Sequence, residues 1–155
     1  MELIRRFDDE IFARGLAAWQ WLIGDRRLRP LAASMFGDVF LQGDDGVWFL
    51  DSLEGTLTRH WADGQALQAV LNTEEGQDEF LLAGLAMGAH RRGVVPGPEQ
   101  VYVFSTPPAL GGEISADNVH VMDFVVAASI SGQMAAQLKD LPTGTQISGF
   151  TIKEQ

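Results

Sequence analysis

Cysteine is absent from the 155 residues, which excludes disulfides, thiolate nucleophiles and thiolate metal sites. Long apolar runs are also missing; none approaches the ~20 residues that a membrane-spanning helix needs. The N-terminal Met1-Glu2-Leu3-Ile4-Arg5-Arg6-Phe7 has no apolar signal core before Asp8, Asp9 and Glu10. A cytoplasmic protein is the expectation, with no membrane partner. Basic residues are scarce in the middle of the chain. Residues 31–90 hold only Arg59 against ten acids, a net −9, whereas 1–30 sum to +1 and 91–155 to −2. Neutralising phosphates requires clustered Lys and Arg, so this balance argues against direct nucleic-acid binding. The same acids suit plain solvation, or faster encounter with a basic partner.

Metal and cofactor patterns are missing as well. His60, His90 and His120 lie far apart, without a close or i,i+4 pair, so no metal site is expected. Ser105 and Ser131 lack the glycine pattern of a nucleophile elbow. Gly111-Gly112 opens no phosphate loop, because neither a second glycine group nor Lys-Ser/Thr follows. No cofactor and no catalytic residue are expected. No repeat or linker interrupts the chain, whose length suits one domain with a sizeable core.

What is present reads as α+β. Asp8 and Asp9 open a helix to about Ile23, with Ile11, Phe12, Leu16, Trp19 and Ile23 as its apolar stripe and Gly24 as its end. Arg26, Arg27 and Arg29 before Pro30 read as a loop. Residues 35–60 read as a three-stranded meander: Val39–Gln42, Val47–Asp51 and Thr56–His60. Its turns are Gly43-Asp44-Asp45-Gly46 and Ser52-Leu53-Glu54-Gly55. Asp63 caps a short helix to Leu71, and Thr73 caps a longer one from Glu74 to about Arg92. Val101–Phe104 and Val119–Met122 read as strands, followed by a helix from Asp123 to Leu138 and a last strand at Gln146–Ile152. Residues 1–33 form an N-terminal helix and loop packing on a domain at 34–155.

Candidate chemistry is confined to carboxylates and tryptophans. Asp44 with Asp45, and Asp51 with Glu54, are the paired acids that could act in general acid/base catalysis or hold a cation. Both pairs sit in turns, where Asp is favoured for backbone reasons. Trp19, Trp21, Trp48 and Trp61 form no stacking platform. Trp21 falls outside the stripe of Trp19 and Ile23, and an exposed Trp suits a protein interface.

From Phe36 to about Ile147 the order of short motifs resembles a known family. The pieces are Phe36-Gly37-Asp38-Val39-Phe40, Phe49-Leu50-Asp51, Glu79-Phe80-Leu81-Leu82, Leu110-Gly111-Gly112, Asp117-Asn118-Val119, Ser129-Ile130-Ser131-Gly132-Gln133 and Leu141-Pro142-Thr143-Gly144. Together they resemble the C-terminal domain of bacterial type VI secretion DNase-immunity proteins, first catalogued as a domain of unknown function. The resemblance implies a small, mainly antiparallel sheet flanked by helices. It also implies a non-enzymatic protein that neutralises a cognate toxin. Fuller members carry an additional N-terminal domain, whereas residues 1–35 precede the match here.

A nuclease toxin presents a basic groove, and carboxylates can stand where phosphates would lie. The residues expected to bind such a toxin are Asp44, Asp45, Asp51, Glu54, Glu75, Asp78 and Glu79, with Trp48 and Trp61 as anchors. Two other readings stay open. One is a small-molecule or peptide-binding accessory domain, marked by an apolar pocket with converging polar groups. The other is an enzyme working through Asp51 and Glu54, marked by a cleft and a perturbed carboxylate.

Overall fold

A computed structural model describes residues 1–142, 145 and 149–153. Its centre is a five-stranded sheet of β1 (Ile4–Arg5), β2 (Arg29–Ser34), β3 (Val39–Gly43), β4 (Gly46–Asp51) and β5 (Thr56–Trp61). The strands lie in sequence order and every neighbouring pair is antiparallel. Such a sheet needs only short turns, except between β1 and β2, where α1 (Asp9–Leu16), a 3₁₀ turn (Ala17–Trp19) and α2 (Gln20–Ile23) intervene.

Side chains alternate across the strands, so each strand feeds two cores. Val39, Leu41 and Leu50 point to one face and pack with Phe12, Trp19, Ile23, Phe124 and Ala128. Phe40, Val47 and Phe49 point to the other, against Leu67 and Leu71 of α3 (Gly64–Leu71) and Phe80 and Leu81 of α4 (Glu74–Leu81). The sheet is thus the middle layer between α1 with α6 (Phe124–Leu138) and α3 with α4. Full burial of residues such as Phe40 and Phe124 contributes about 1.5–3 kcal/mol each. A third cluster, Met35, Phe36, Ala86, Ala89, Tyr102 and Val119, joins α5 (Ala83–Arg91) to a two-stranded antiparallel sheet of β6 (Gln100–Phe104) and β7 (Val119–Asp123).

The α6 helix approaches the first helical segment closely at Gly132. A Cβ there would meet the Ala18 carbonyl oxygen at 2.7 Å, so only glycine permits the approach. Trp21 Nε1 donates to the Gly132 carbonyl oxygen at 3.2 Å, and Lys139 Nζ lies 5.2 Å above the Trp21 ring. Trp21 is therefore half-buried in a helix–helix contact.

The three-stranded meander, the α3 helix with its Asp63 cap, β6, β7 and α6 lie where the sequence places them. Asp63 Oδ1 accepts from Ala66 N at 2.9 Å. Several details differ. The Arg29-Pro30 segment is the start of β2, because a register shift between Pro30 and Ala32 accommodates the proline. Residues 1–33 consequently supply β1 and all of β2 but Ser34 to the main sheet, in addition to a packed helix. The expected single helix from Glu74 to Arg92 breaks at Leu82, whose φ of 51° is left-handed. Asp123 makes no side-chain cap bond to α6. In the last expected strand, Gly149–Ile152 form no strand, while residues 146–148 lie outside the described residues, as do Thr143 and Gly144 of the expected turn. The β3–β4 turn places its positive φ on Gly46 (143°), and Asp44 and Asp45 keep ordinary backbone angles.

Candidate functional site

A concavity opens at one end of the main sheet, where the β2–β3 and β4–β5 turns meet β6, β7 and α6. It is a groove of about 660 Å³, within the range of small-molecule sites. Phe36, Leu82, Tyr102, Phe104, Ile130, Met134 and Leu138 supply much of its apolar wall. Asp38, Ser52, Glu54, Ser105, His120, Ser131 and Lys139 supply its polar and charged lining. Two exposed apolar residues, Leu53 and Ile114, also line it, one from the β4–β5 turn and one from the β6–β7 connection.

Asp38 is the most perturbed group of this site. It follows Gly37 in the β2–β3 turn and is buried. Its Oδ1 accepts from Ser52 N and Ser52 Oγ, both at 2.8 Å, and its Oδ2 accepts from Ser34 Oγ at 2.9 Å. Ser34 Oγ in turn accepts from the Phe36 and Asp38 amides. Burial, with the negative charge of Asp51 adding to it, raises the Asp38 pKa from 3.8 to about 6, against the lowering effect of its hydrogen bonds from Ser52 and Ser34. The saturated hydrogen bonding makes Asp38 a brace between the β2–β3 and β4–β5 turns, which shapes the groove floor.

Ser105 Oγ and His120 Nδ1 lie 2.9 Å apart on the groove wall. They sit near the paired ends of β6 and β7, where Val103 faces His120 and Phe104 faces Val119. Among the described residues no carboxylate hydrogen-bonds the other imidazole nitrogen, so the pair lacks the third, orienting member of a hydrolytic triad. Among the same residues no group of His, Asp and Glu is arranged to hold a metal ion, and no helix is long and apolar enough to cross a membrane.

The nine candidate toxin-binding residues do not form one surface. Asp44 and Asp45 occupy the β3–β4 turn, and Asp51 and Glu54 the opposite end of β4. That separates them by roughly 20 Å at ~3.3 Å per residue. Glu75, Asp78 and Glu79 lie exposed on α4. Several have local tasks. Asp45 Oδ1 accepts from Trp48 Nε1 at 2.9 Å, and Arg59 lies 3.9 Å from its other oxygen. Arg26 sits 5.4 Å over the half-buried Trp48 ring. Asp51 Oδ1 accepts from the Leu53 and Glu54 amides, both at 3.0 Å, which fixes the turn. Trp61 is 6% exposed and packs among Phe40, Phe49 and Phe80, so it is a core residue and no surface anchor. In the sequence Asp38 stood only within the Phe36–Phe40 motif and Ser52 only within a turn, and Ser34 had no mark at all.

No protein-family model matches the chain, and no curated protein matches it. Among solved structures, the chain is similar to the crystal structure of Atu4351 from Agrobacterium tumefaciens, at 16% identity and a TM-score of 0.53. The match covers 84% of this chain and 66% of that one, so this chain spans just under two thirds of Atu4351. At that identity the likeness is one of fold: an α+β domain with a small, mainly antiparallel sheet flanked by helices.

Proposed function

We propose that this chain is a cytoplasmic, non-catalytic immunity protein that binds a cognate antibacterial effector of nuclease type and blocks it. The motif order from Phe36 to Ile147 supports the family reading. The observation that carries the binding reading is the surface of α4. Within eight residues it exposes Glu74, Glu75, Asp78 and Glu79, and none of them is in an ion pair among the described residues. Like charges spaced i,i+4, as Glu74–Asp78 and Glu75–Glu79 are, cost a helix stability. Part of that cost is offset because Glu74 and Glu75 lie in the first turn, at the positive N-terminal end. A basic protein surface would complete the neutralisation. The partner is accordingly a toxin with a basic face, with neither nucleic acid nor membrane bound directly.

The test is co-expression of the neighbouring effector gene with and without this protein, scored by survival and chromosomal integrity. Rescue with intact DNA supports the reading, and toxicity without rescue defeats it for that pair. Glu75→Lys, Asp78→Lys and Glu79→Lys together should slow association with the effector at least ten-fold at low salt.

The groove favours a second reading, a small-molecule or peptide-binding accessory domain, because about 660 Å³ of mostly apolar space carries converging polar groups. Its test is thermal-shift screening of the full chain, where a ligand that raises Tm in the parent but not in Met134→Arg supports it.

A further inference from the structure

The groove is elongated, and α6 sets its length. Ala127, Ala128, Ile130, Met134, Leu138 and Lys139 line it, a stretch of helix that rises ~18 Å from first to last. The β4–β5 turn lies against the later part of that stretch, where a Cβ on Gly55 would meet the Ala135 Cβ at 3.0 Å. Met122 stands near the opposite end, just before α6 begins.

The interior offers little to a polar occupant. The lining serines are engaged within the protein. Ser52 Oγ donates to Asp38 at 2.8 Å, Ser131 Oγ donates to the Ala128 carbonyl at 3.2 Å, and Ser105 Oγ pairs with His120 Nδ1 at 2.9 Å. An extended peptide would bury backbone amides and carbonyls with few partners, whereas an aliphatic chain has none to satisfy. Length and lining together select a linear apolar body.

Charge gathers at the turn end. Glu54 is exposed in the β4–β5 turn, and its carboxylate makes no hydrogen bond or ion pair among the described residues. Asp38 also lines the groove beside this turn, and Asp51, whose charge acts on Asp38, holds the amide of Glu54. The C-terminus of the fifteen-residue α6 adds roughly half a negative charge. Against these stands Lys139, whose Nζ lies on the Trp21 ring. The balance at this end is negative and complements a cation.

We infer that the groove binds a linear aliphatic amine, its chain lying along α6 and its ammonium at the β4–β5 turn beside Glu54. Burial of the chain against Met134 and Leu138 supplies the affinity, and the free carboxylate of Glu54 selects the head. A carboxylate head on the same chain would meet Lys139, but against the charges of Glu54, Asp38 and Asp51. The inference rests on the reading of the groove as a small-molecule site and adds the class of ligand.

The test is calorimetric titration of the full chain with decylammonium, decanol and decanoate, at low salt, at pH 8 and below micelle formation. Decylammonium should bind one to one and at least ten-fold more tightly than decanoate. Glu54→Gln, at an exposed side chain with no bond to lose, should weaken decylammonium about five-fold and leave decanol unchanged. Added salt should weaken decylammonium and spare decanol. Met134→Arg should abolish binding of all three, with circular dichroism showing a retained fold. Decanoate binding as tightly as decylammonium, or decylammonium binding indifferent to Glu54→Gln, overturns the inference. If that binding is still lost in Met134→Arg, the groove remains a small-molecule site with a different ligand class. No binding by any of the three also overturns the inference, and the thermal-shift screen then judges the groove reading separately.

Discussion

Ser52 gives Asp38 two hydrogen bonds from a single residue, its amide and its hydroxyl both lying 2.8 Å from Oδ1. The contact ties the β4–β5 turn to the β2–β3 turn and so fixes two sides of the groove. Its removal has a direct consequence for stability. Asp38→Ala leaves the Ser52 amide and the Ser34 hydroxyl without their acceptor, and lifts the desolvation cost of a buried carboxylate. The balance is a loss of about 2 kcal/mol at neutral pH. Asp38→Asn keeps an acceptor for Ser52 and costs less. Urea denaturation of the two variants measures both.

The raised Asp38 pKa sets a sign for pH dependence. Between 3.8 and about 6 the folded chain binds more protons at this site than the unfolded chain does. Its contribution to stability is therefore fully present below 3.8 and is lost as pH rises through about 6. The shift corresponds to roughly 3 kcal/mol across the window. Denaturation midpoints of the parent and of Asp38→Asn, taken from pH 4 to pH 7, should differ in slope in that direction. Parallel curves would refute the assignment.

Leu82 combines a left-handed backbone with a place on the groove wall and against the third core cluster. Leu82→Ala keeps the strained φ and loses packing, for a cost of about 2 kcal/mol. Leu82→Gly loses the same packing but relieves about 1 kcal/mol of strain. Glycine should thus be the milder substitution, the reverse of its rank within helices. Thermal melts of the two variants decide the order.

Gly132→Ala raises helix propensity, and on that ground alone would stabilise α6 by up to about 1 kcal/mol. The Cβ position 2.7 Å from the Ala18 carbonyl oxygen reverses the sign. A destabilisation of about 2–3 kcal/mol is expected, because backbone must move to relieve the contact. A lowered Tm together with a changed Trp21 fluorescence checks it.

Trp61→Ala should cost about 3–5 kcal/mol, as befits a tryptophan packed against Phe40, Phe49 and Phe80. Glu75→Lys, Asp78→Lys and Glu79→Lys each touch exposed positions and should shift stability by less than about 1 kcal/mol. Chemical denaturation of the four variants separates the core residue from the surface ones.

The meander was legible because its turns carry glycine and aspartate, and because Val39, Phe40, Leu41 and Val47, Trp48, Phe49, Leu50 make short apolar runs between them. The β2 strand was hidden by Arg29-Pro30, since a proline enters a strand only at an edge, a strand start or a bulge, and the register shift that admits it here is a property of the pairing with β3. The break at Leu82 was illegible for a different reason. Leucine gives no signal for a left-handed angle, and the packing of Leu82 beside Phe36 and Tyr102 outweighs local preference. The site was hardest to read. Attention falls on acids adjacent in sequence, whereas the perturbed carboxylate is Asp38, whose partner Ser52 lies beyond an entire hairpin. Trp61 likewise ends a strand with a wet face, and only the pairing of β4 with β5 turns it inward.

The order of the layers along the chain has a cost during synthesis. The five-stranded sheet is complete once Trp61 has emerged, yet α6, which covers the face of Val39, Leu41 and Leu50 together with α1, begins only at Phe124. At 5–20 residues per second, the stretch from Trp61 to Leu138 takes roughly 4–15 s to translate. For that interval the nascent sheet presents half-covered apolar surface, a natural substrate for ribosome-associated chaperones. A premature stop before α6 leaves that surface permanently open and marks the product for aggregation or proteolysis.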